Sequence, residues 1–171
     1  MRRSLFPLYW SILFLTGQAV MLLGGFWGYA DQQPVLLDTL TFDRPLNDGY
    51  STNATVIQIN SDYGLRFDEP DQYLITPSLN TRRSFSIVLT WLAFSLVEFN
   101  VTSTTVLEIH SGSITVLIPG TALHIDEPLI VHLDVQGQEA IAINFISPWL
   151  AEGSKIIPTL YRMEIYDGQV R

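Results

Sequence analysis

The chain has 171 residues, 47% hydrophobic and 15% charged, with 17 acidic against 9 basic side chains and no cysteine. A net charge of −8 argues against a nucleic-acid binder, which needs a basic face for phosphates. Without cysteine there are no disulfides, thiolate catalysis, zinc–cysteine sites or iron–sulfur clusters.

The N-terminus comes first. Arg2 and Arg3 precede an uncharged run of 27 residues, Ser4 to Ala30. About 20 apolar residues in a helix span a bilayer core. Tyr9 and Trp10 stand near one end of the run, and Trp27 and Tyr29 near the other. Trp10 and Trp27 are then roughly 25 Å apart along a helix, which suits two interfacial aromatic belts. The expectation is a single transmembrane helix within residues 1–30. Arg2 and Arg3 hold its N-terminus in the cytoplasm, and the rest of the chain is periplasmic or extracellular. A cleaved signal peptide has the same parts, with small residues at Gly28 and Ala30 before Asp31. Its apolar core is usually shorter, about 7–15 residues, and it has no use for paired belts. Gly24 and Gly28 are spaced for close helix–helix approach, and Gln18 is a polar side chain that needs a partner in lipid.

Residues 31–34 form a short polar linker, and from Val35 the period becomes two. Thr55 to Asn60 alternates as a half-buried strand. Phe85 to Val97 is almost wholly apolar and, at 13 residues, short for a span. It reads as a central strand buried on both faces. Thr104–His110 and Ser113–Ile118 flank a turn and predict a hairpin. Leu129–Val135 and Ala140–Phe145, either side of Gln136-Gly137, predict a second. Leu160 to Tyr166 is a late alternating strand. No helical stripe appears beyond the N-terminal run. The fold class is therefore all-β, an antiparallel sandwich or jelly roll over residues 35–171, behind one membrane helix.

The segments Gly64-Leu65-Arg66-Phe67-Asp68, Gln72 to Pro77, Phe85-Ser86-Ile87 to Trp91, and Leu160 to Asp167 together resemble a laminin-G-like, concanavalin-type jelly roll. The resemblance covers roughly Leu40 to Gly168 and implies the sandwich. The family's late Asp-Gly loop on the ligand side has no counterpart after Val135. The resemblance therefore lends little to glycan binding.

Asp68, Glu69 and Asp71 form an acidic turn, with Asp43 and Asp48 in an earlier loop. Hard oxygen ligands in loops suit calcium, but the Asp-x-Asp-x-Asp-Gly pattern is missing and a Pro70 turn explains them. No Glu-x-Asp-x-Glu run marks a glycosidase. Of His110, His124 and His132, only His132 is read as sharing a strand face with a carboxylate, Asp134. No nucleophile elbow, zinc-protease motif or phosphate loop occurs. The reading is non-enzymatic, with no cofactor. Asn53 and Asn100 head glycosylation sequons.

Beyond Arg3 the chain holds 7 basic and 17 acidic residues, a net −10. The expected role is an accessory or scaffolding subunit of a membrane complex, respiratory or photosynthetic. Its partners are other membrane subunits and the lipid bilayer. The helix packs through Gln18, Gly24 and Gly28 while the sandwich docks outside, two linked contacts that raise affinity. The alternative is a membrane-anchored carbohydrate-binding, lectin-like module. That reading looks to exposed aromatics among Trp91, Trp149 and Tyr161. Trp91 suits the core better, and Trp149, after Ser147-Pro148, suits a contact loop.

Overall fold

The computed structural model describes residues 33–46, 48–94, 105–125, 127–146 and 157–171. The chain divides into two compact units, Met1–Gln33 and Pro34–Arg171; the second is described below. Its strands are β1 (Val35–Thr41), β2 (Ser51–Thr52), β3 (Thr55–Ile59), β4 (Asp62–Arg66), β5 (Tyr73–Ile75), β6 (Leu79–Thr81), β7 (Phe85–Phe94), β8 (Thr105–Ser111), β9 (Ile114–Pro119), β10 (Leu129–Leu133), β11 (Gly137–Glu139), β12 (Ile141–Phe145) and β13 (Pro158–Asp167). One turn of 3-10 helix, Gly120–Ala122, follows β9.

The strands form an antiparallel sandwich. The first sheet runs β10-β7-β13-β4-β3, with β1 also on β13; the second runs β2-β5-β12-β8-β9. A small ladder joins β11 to β6. The apolar run beginning at Phe85 is the inner strand β7, paired with β10 on one side and β13 on the other. Its residues Phe85, Ser86, Ile87, Val88, Leu89 and Trp91 are buried. An inner strand covered on both faces favours such a run over alternation. In β12 the period of two is plain: Ile141, Ile143 and Phe145 are buried while Ala142 and Asn144 are half-buried. The inward sets of the two sheets make one core, including Leu65, Leu89, Leu160 and Ile165 from the first and Leu74, Leu107, Ile109 and Ile143 from the second. Phe67 and Phe145 touch within it, ring centroids 6.2 Å apart and tilted. Rings in that arrangement add to simple area burial.

The predicted β8–β9 hairpin forms, and Gly112 in its turn takes φ 55°. The second predicted hairpin does not. β10 pairs with β7 in the first sheet, whereas β12 pairs with β5 and β8 in the second. Gln136-Gly137 lies on the crossing between the sheets, with Gly137 at φ 105°. Both strands alternate as hairpin partners should, but each has a better apolar neighbour elsewhere. Local pattern alone does not choose between sheets.

Among the described residues, no helix is long and apolar enough to cross a membrane. The expected helix, with Tyr9, Trp10, Gln18, Gly24, Trp27, Gly28 and Tyr29, lies outside them. So does Trp149.

Candidate functional site

β13 organises the first sheet. One of its edges is taken by β7 along its whole length, so β1 and β4 must share the other. β1 holds the stretch from Arg162 to Asp167, and β4 holds Thr159 and Leu160. Tyr161 falls between the two. It is skipped on the β7 side as well, where Leu160 faces Trp91 and Arg162 faces the very next β7 residue, Thr90. Tyr161 is thus the extra residue of a β-bulge. Bulges break pairing locally and re-aim a side chain, often beside a functional site.

The chain leaves β1 at Thr41, and β3 turns into β4 through Asn60 and Ser61. Asn60 takes φ 57°, a conformation asparagine tolerates better than most. These two departures open a cleft of about 220 Å³ lined by Thr41, Phe42, Asp43, Ser61, Asp62, Tyr63 and Tyr161. Tyr63 is 37% exposed, and Tyr161 is half-buried. Phe42 is buried and forms the apolar floor. The cleft thus combines two tyrosines with two carboxylates and two hydroxyls. Aromatic faces with a few polar groups beside them are the usual make-up of a small-molecule site.

The Thr41 hydroxyl donates to Asp43 Oδ1 at 2.7 Å. That hydrogen bond above all, helped by a backbone N–H and the Arg44 charge, holds the Asp43 carboxyl below its ordinary value against the opposing effect of desolvation. Asp43 is therefore ionised, an acceptor at neutral pH. Arg44 Nε is 3.8 Å from Asp43, with an 83% exposed side chain. So exposed a pair is worth little.

Two other sequence candidates are committed elsewhere. Asp68 Oδ2 accepts from the Arg66 guanidinium at 2.5 Å, and Asp68 Oδ1 accepts from Gln72 Nε2 at 3.2 Å. Gln72 Oε1 in turn accepts from the backbone N–H groups of Asp68 and Glu69. This is a self-contained turn, continued by Asp71 at φ 64°. Among the described residues, no group of three or more His, Asp or Glu side chains is placed to hold a metal ion. Asn53 straps the same region: its Oδ1 accepts from Tyr73 N at 2.8 Å, and its Nδ2 donates to the Asp71 carbonyl at 3.2 Å.

The histidine reading needs correction. Asp134 lies past the end of β10, and His132 Nδ1 is 2.9 Å from Ser86 Oγ. A Ser–His contact suggests a nucleophile, but Ser86 is fully buried and donates to the Gly168 carbonyl at 2.6 Å. It also accepts from Val170 N at 3.2 Å. Its one proton is spent on the chain, so the contact ties down the C-terminus. A histidine beside a carboxylate that the reading did not count is His110: its Nε2 is 3.0 Å from Glu108 Oε2, and its Nδ1 is 2.9 Å from Thr115 Oγ1. The spacing Glu108-x-His110 on an alternating strand could have revealed it. Glu108 also borders a shallow depression with Asp71, Asn144, Phe145 and Ile146.

Of the aromatic candidates, Trp91 is in the core at 2% exposure and Tyr161 is in the cleft. Tyr63 was missed. In Asp62-Tyr63-Gly64-Leu65-Arg66 it reads as an ordinary strand residue, and only the β3–β4 turn brings it to Tyr161.

No family model matches the chain, and no curated protein does. Solved structures of similar shape do exist. One is a family two carbohydrate esterase from Cellvibrio japonicus, 13% identical, TM-score 0.46, matched over 77% of this chain and 34% of its own. The chain thus spans about a third of that esterase's length. Another is a family 35 carbohydrate-binding module from Clostridium thermocellum, 14% identical, TM-score 0.43, matched over 80% of this chain and 99% of its own. A third is a family 6 carbohydrate-binding module, 12% identical, TM-score 0.41, covering 78% and 95%. These are loose likenesses of strand arrangement. None of the three is a laminin-G-like domain or a subunit of a membrane complex, and the two expectations of that kind are not upheld.

Proposed function

We propose that the β-sandwich is a non-catalytic, lectin-like carbohydrate-binding module, held at a membrane surface by the apolar segment before it. The observation that carries the reading is the cleft between Tyr63 and Tyr161. A sugar ring has an apolar face of C–H groups and a rim of hydroxyls. Tyrosine offers a rigid apolar surface for the first, at low entropic cost, and a hydroxyl for the second. Asp43, Asp62, Thr41 and Ser61 supply acceptors and donors around it. The volume is below the 300–1,000 Å³ typical of drug-sized ligands and suits about one sugar ring. Binding is accordingly weak and directed to a chain end or side branch. The anchoring half of the proposal draws on the uncharged run from Ser4 to Ala30 and its paired aromatic belts.

The test uses the full chain in a detergent without a sugar headgroup, titrated against a panel of neutral, amino and acidic oligosaccharides. At least one class is expected to bind. Tyr161→Ala is expected to weaken that binding about 30-fold, as loss of a central aromatic anchor costs about 2 kcal/mol or more. Thermal melting keeps the variant's folding in view. A full panel without binding, or binding indifferent to Tyr161→Ala in a folded variant, overturns the reading.

A further inference from the structure

We infer that the Tyr63–Tyr161 cleft selects a cationic sugar, a residue bearing a free amine, over its N-acetylated or uronate counterpart. This rests on the carbohydrate-binding reading above and narrows it to a ligand class.

The charge of the lining carries the inference. Asp43 and Asp62 contribute two carboxylates, and among the described residues no Lys, Arg or His lines the cleft. Of the bases beside it, Arg44 reaches Asp43 itself at 3.8 Å, but through an 83% exposed side chain, a pair worth little, and Arg162 donates to Glu164 Oε1 at 2.5 Å. Asp43 is further fixed as an acceptor by the Thr41 hydroxyl. The two tyrosines lining the cleft act in the same direction, since an aromatic face attracts a cation through its quadrupole whereas it offers nothing to an anion. A uronate meets two like charges at short range, which is an element of rejection as well as a missing attraction. An N-acetyl group removes the charge and adds bulk to a cleft of about 220 Å³. The excess of acid over base beyond Arg3, 17 against 7, draws cations toward the domain from a distance.

The experiment compares three ligands by calorimetry on the full chain at pH 6: the tetramer of glucosamine, the tetramer of N-acetylglucosamine and a galacturonic acid tetramer. The glucosamine tetramer is expected to bind about three- to tenfold tighter than the acetylated one, the range two exposed charge contacts support. The uronate is expected to bind more weakly than either. In 0.5 M salt the preference should fall below about twofold as screening sets in. In Asp43→Asn with Asp62→Asn the ratio of the two affinities should approach one. Equal affinities in the unaltered chain, or a tighter uronate, overturn the selectivity while leaving carbohydrate binding in place, provided Tyr161→Ala still weakens it. No binding by any of the three, or by the wider panel, removes both proposals together. A preference that survives both high salt and the double Asn variant places the amine elsewhere on the domain, and that too overturns the assignment.

Discussion

Replacing Asp167 with alanine should lower the melting temperature by roughly 5–10 °C, the shift expected for about 2–3 kcal/mol in a domain of this size. Asp167 ends β13 and is 9% exposed. Its Oδ1 accepts from Thr81 Oγ1 at 2.6 Å, from Arg83 N at 3.1 Å and from Arg82 N at 3.2 Å. Arg83 Nε is 3.7 Å away, and the same guanidinium donates to the Asp167 carbonyl. One carboxylate therefore fastens the last strand to the turn between β6 and β7. Alanine leaves those donors without their acceptor, and a buried polar group without a partner costs more than the hydrogen bond itself was worth. The same group sets a pH dependence. Burial pushes its pKa up, but the Thr81 hydroxyl, the Arg83 and Arg82 N–H groups and the Arg83 charge more than offset that. The carboxyl sits below its ordinary value. A carboxylate whose pKa is depressed by folding stabilises the fold above its unfolded pKa, about 3.9, and that stabilisation fades as pH falls through the folded value. The melting difference between the native chain and Asp167→Asn should hold steady from pH 7 to 5 and shrink below about pH 4. A difference constant down to pH 2 would show that shape rather than charge is what position 167 supplies.

How much of this was legible in the residues divides along the range of the interactions. β7 showed itself because an inner strand needs apolar side chains on both faces, and nothing beyond its own composition enters that requirement. β8 and β9 were legible because alternation and a two-residue turn are local. The pairing of β10 and β12 was not. Their partners are chosen by burial across the sandwich, among residues far apart in the chain. The site follows the same division. Tyr161 could be named as an exposed aromatic from its strand, but its role depends on a bulge fixed by three other strands. Tyr63 gave no sign at all. Glu108 and His110 were readable two apart on one strand and were overlooked. The acidic stretch at Asp68 could be read as a turn from Pro70, but a sequence does not show Arg66 and Gln72 folding back onto it.

The residue that keeps β4 against β13, and so shapes the cleft beside Tyr63, is a glycine. A Cβ at Gly64 would stand 2.6 Å from Thr159 Cγ2 and 3.1 Å from the Leu160 carbonyl oxygen. Real Cβ atoms do not approach that closely, so one strand must give. Glycine in a strand normally weakens it, and here it marks the close approach of a second backbone. Thr159 is itself buried, at 2% exposure. Gly64→Ala should therefore destabilise the domain by about 1–3 kcal/mol, the usual range for overpacking. It should also weaken sugar binding, since Tyr63 is the next residue and moves with β4. Thr159→Ala removes the nearer of the two clashing atoms and leaves the carbonyl. In a double-mutant cycle, the pair should recover at least about 1 kcal/mol relative to the sum of the single changes, because the two positions touch. Denaturant unfolding of the four chains measures that coupling. Strict additivity would mean that Gly64 is required for some reason other than its contact with Thr159. Recovery of stability without recovery of binding would place the damage at the Leu160 carbonyl, one residue from Tyr161 and its bulge.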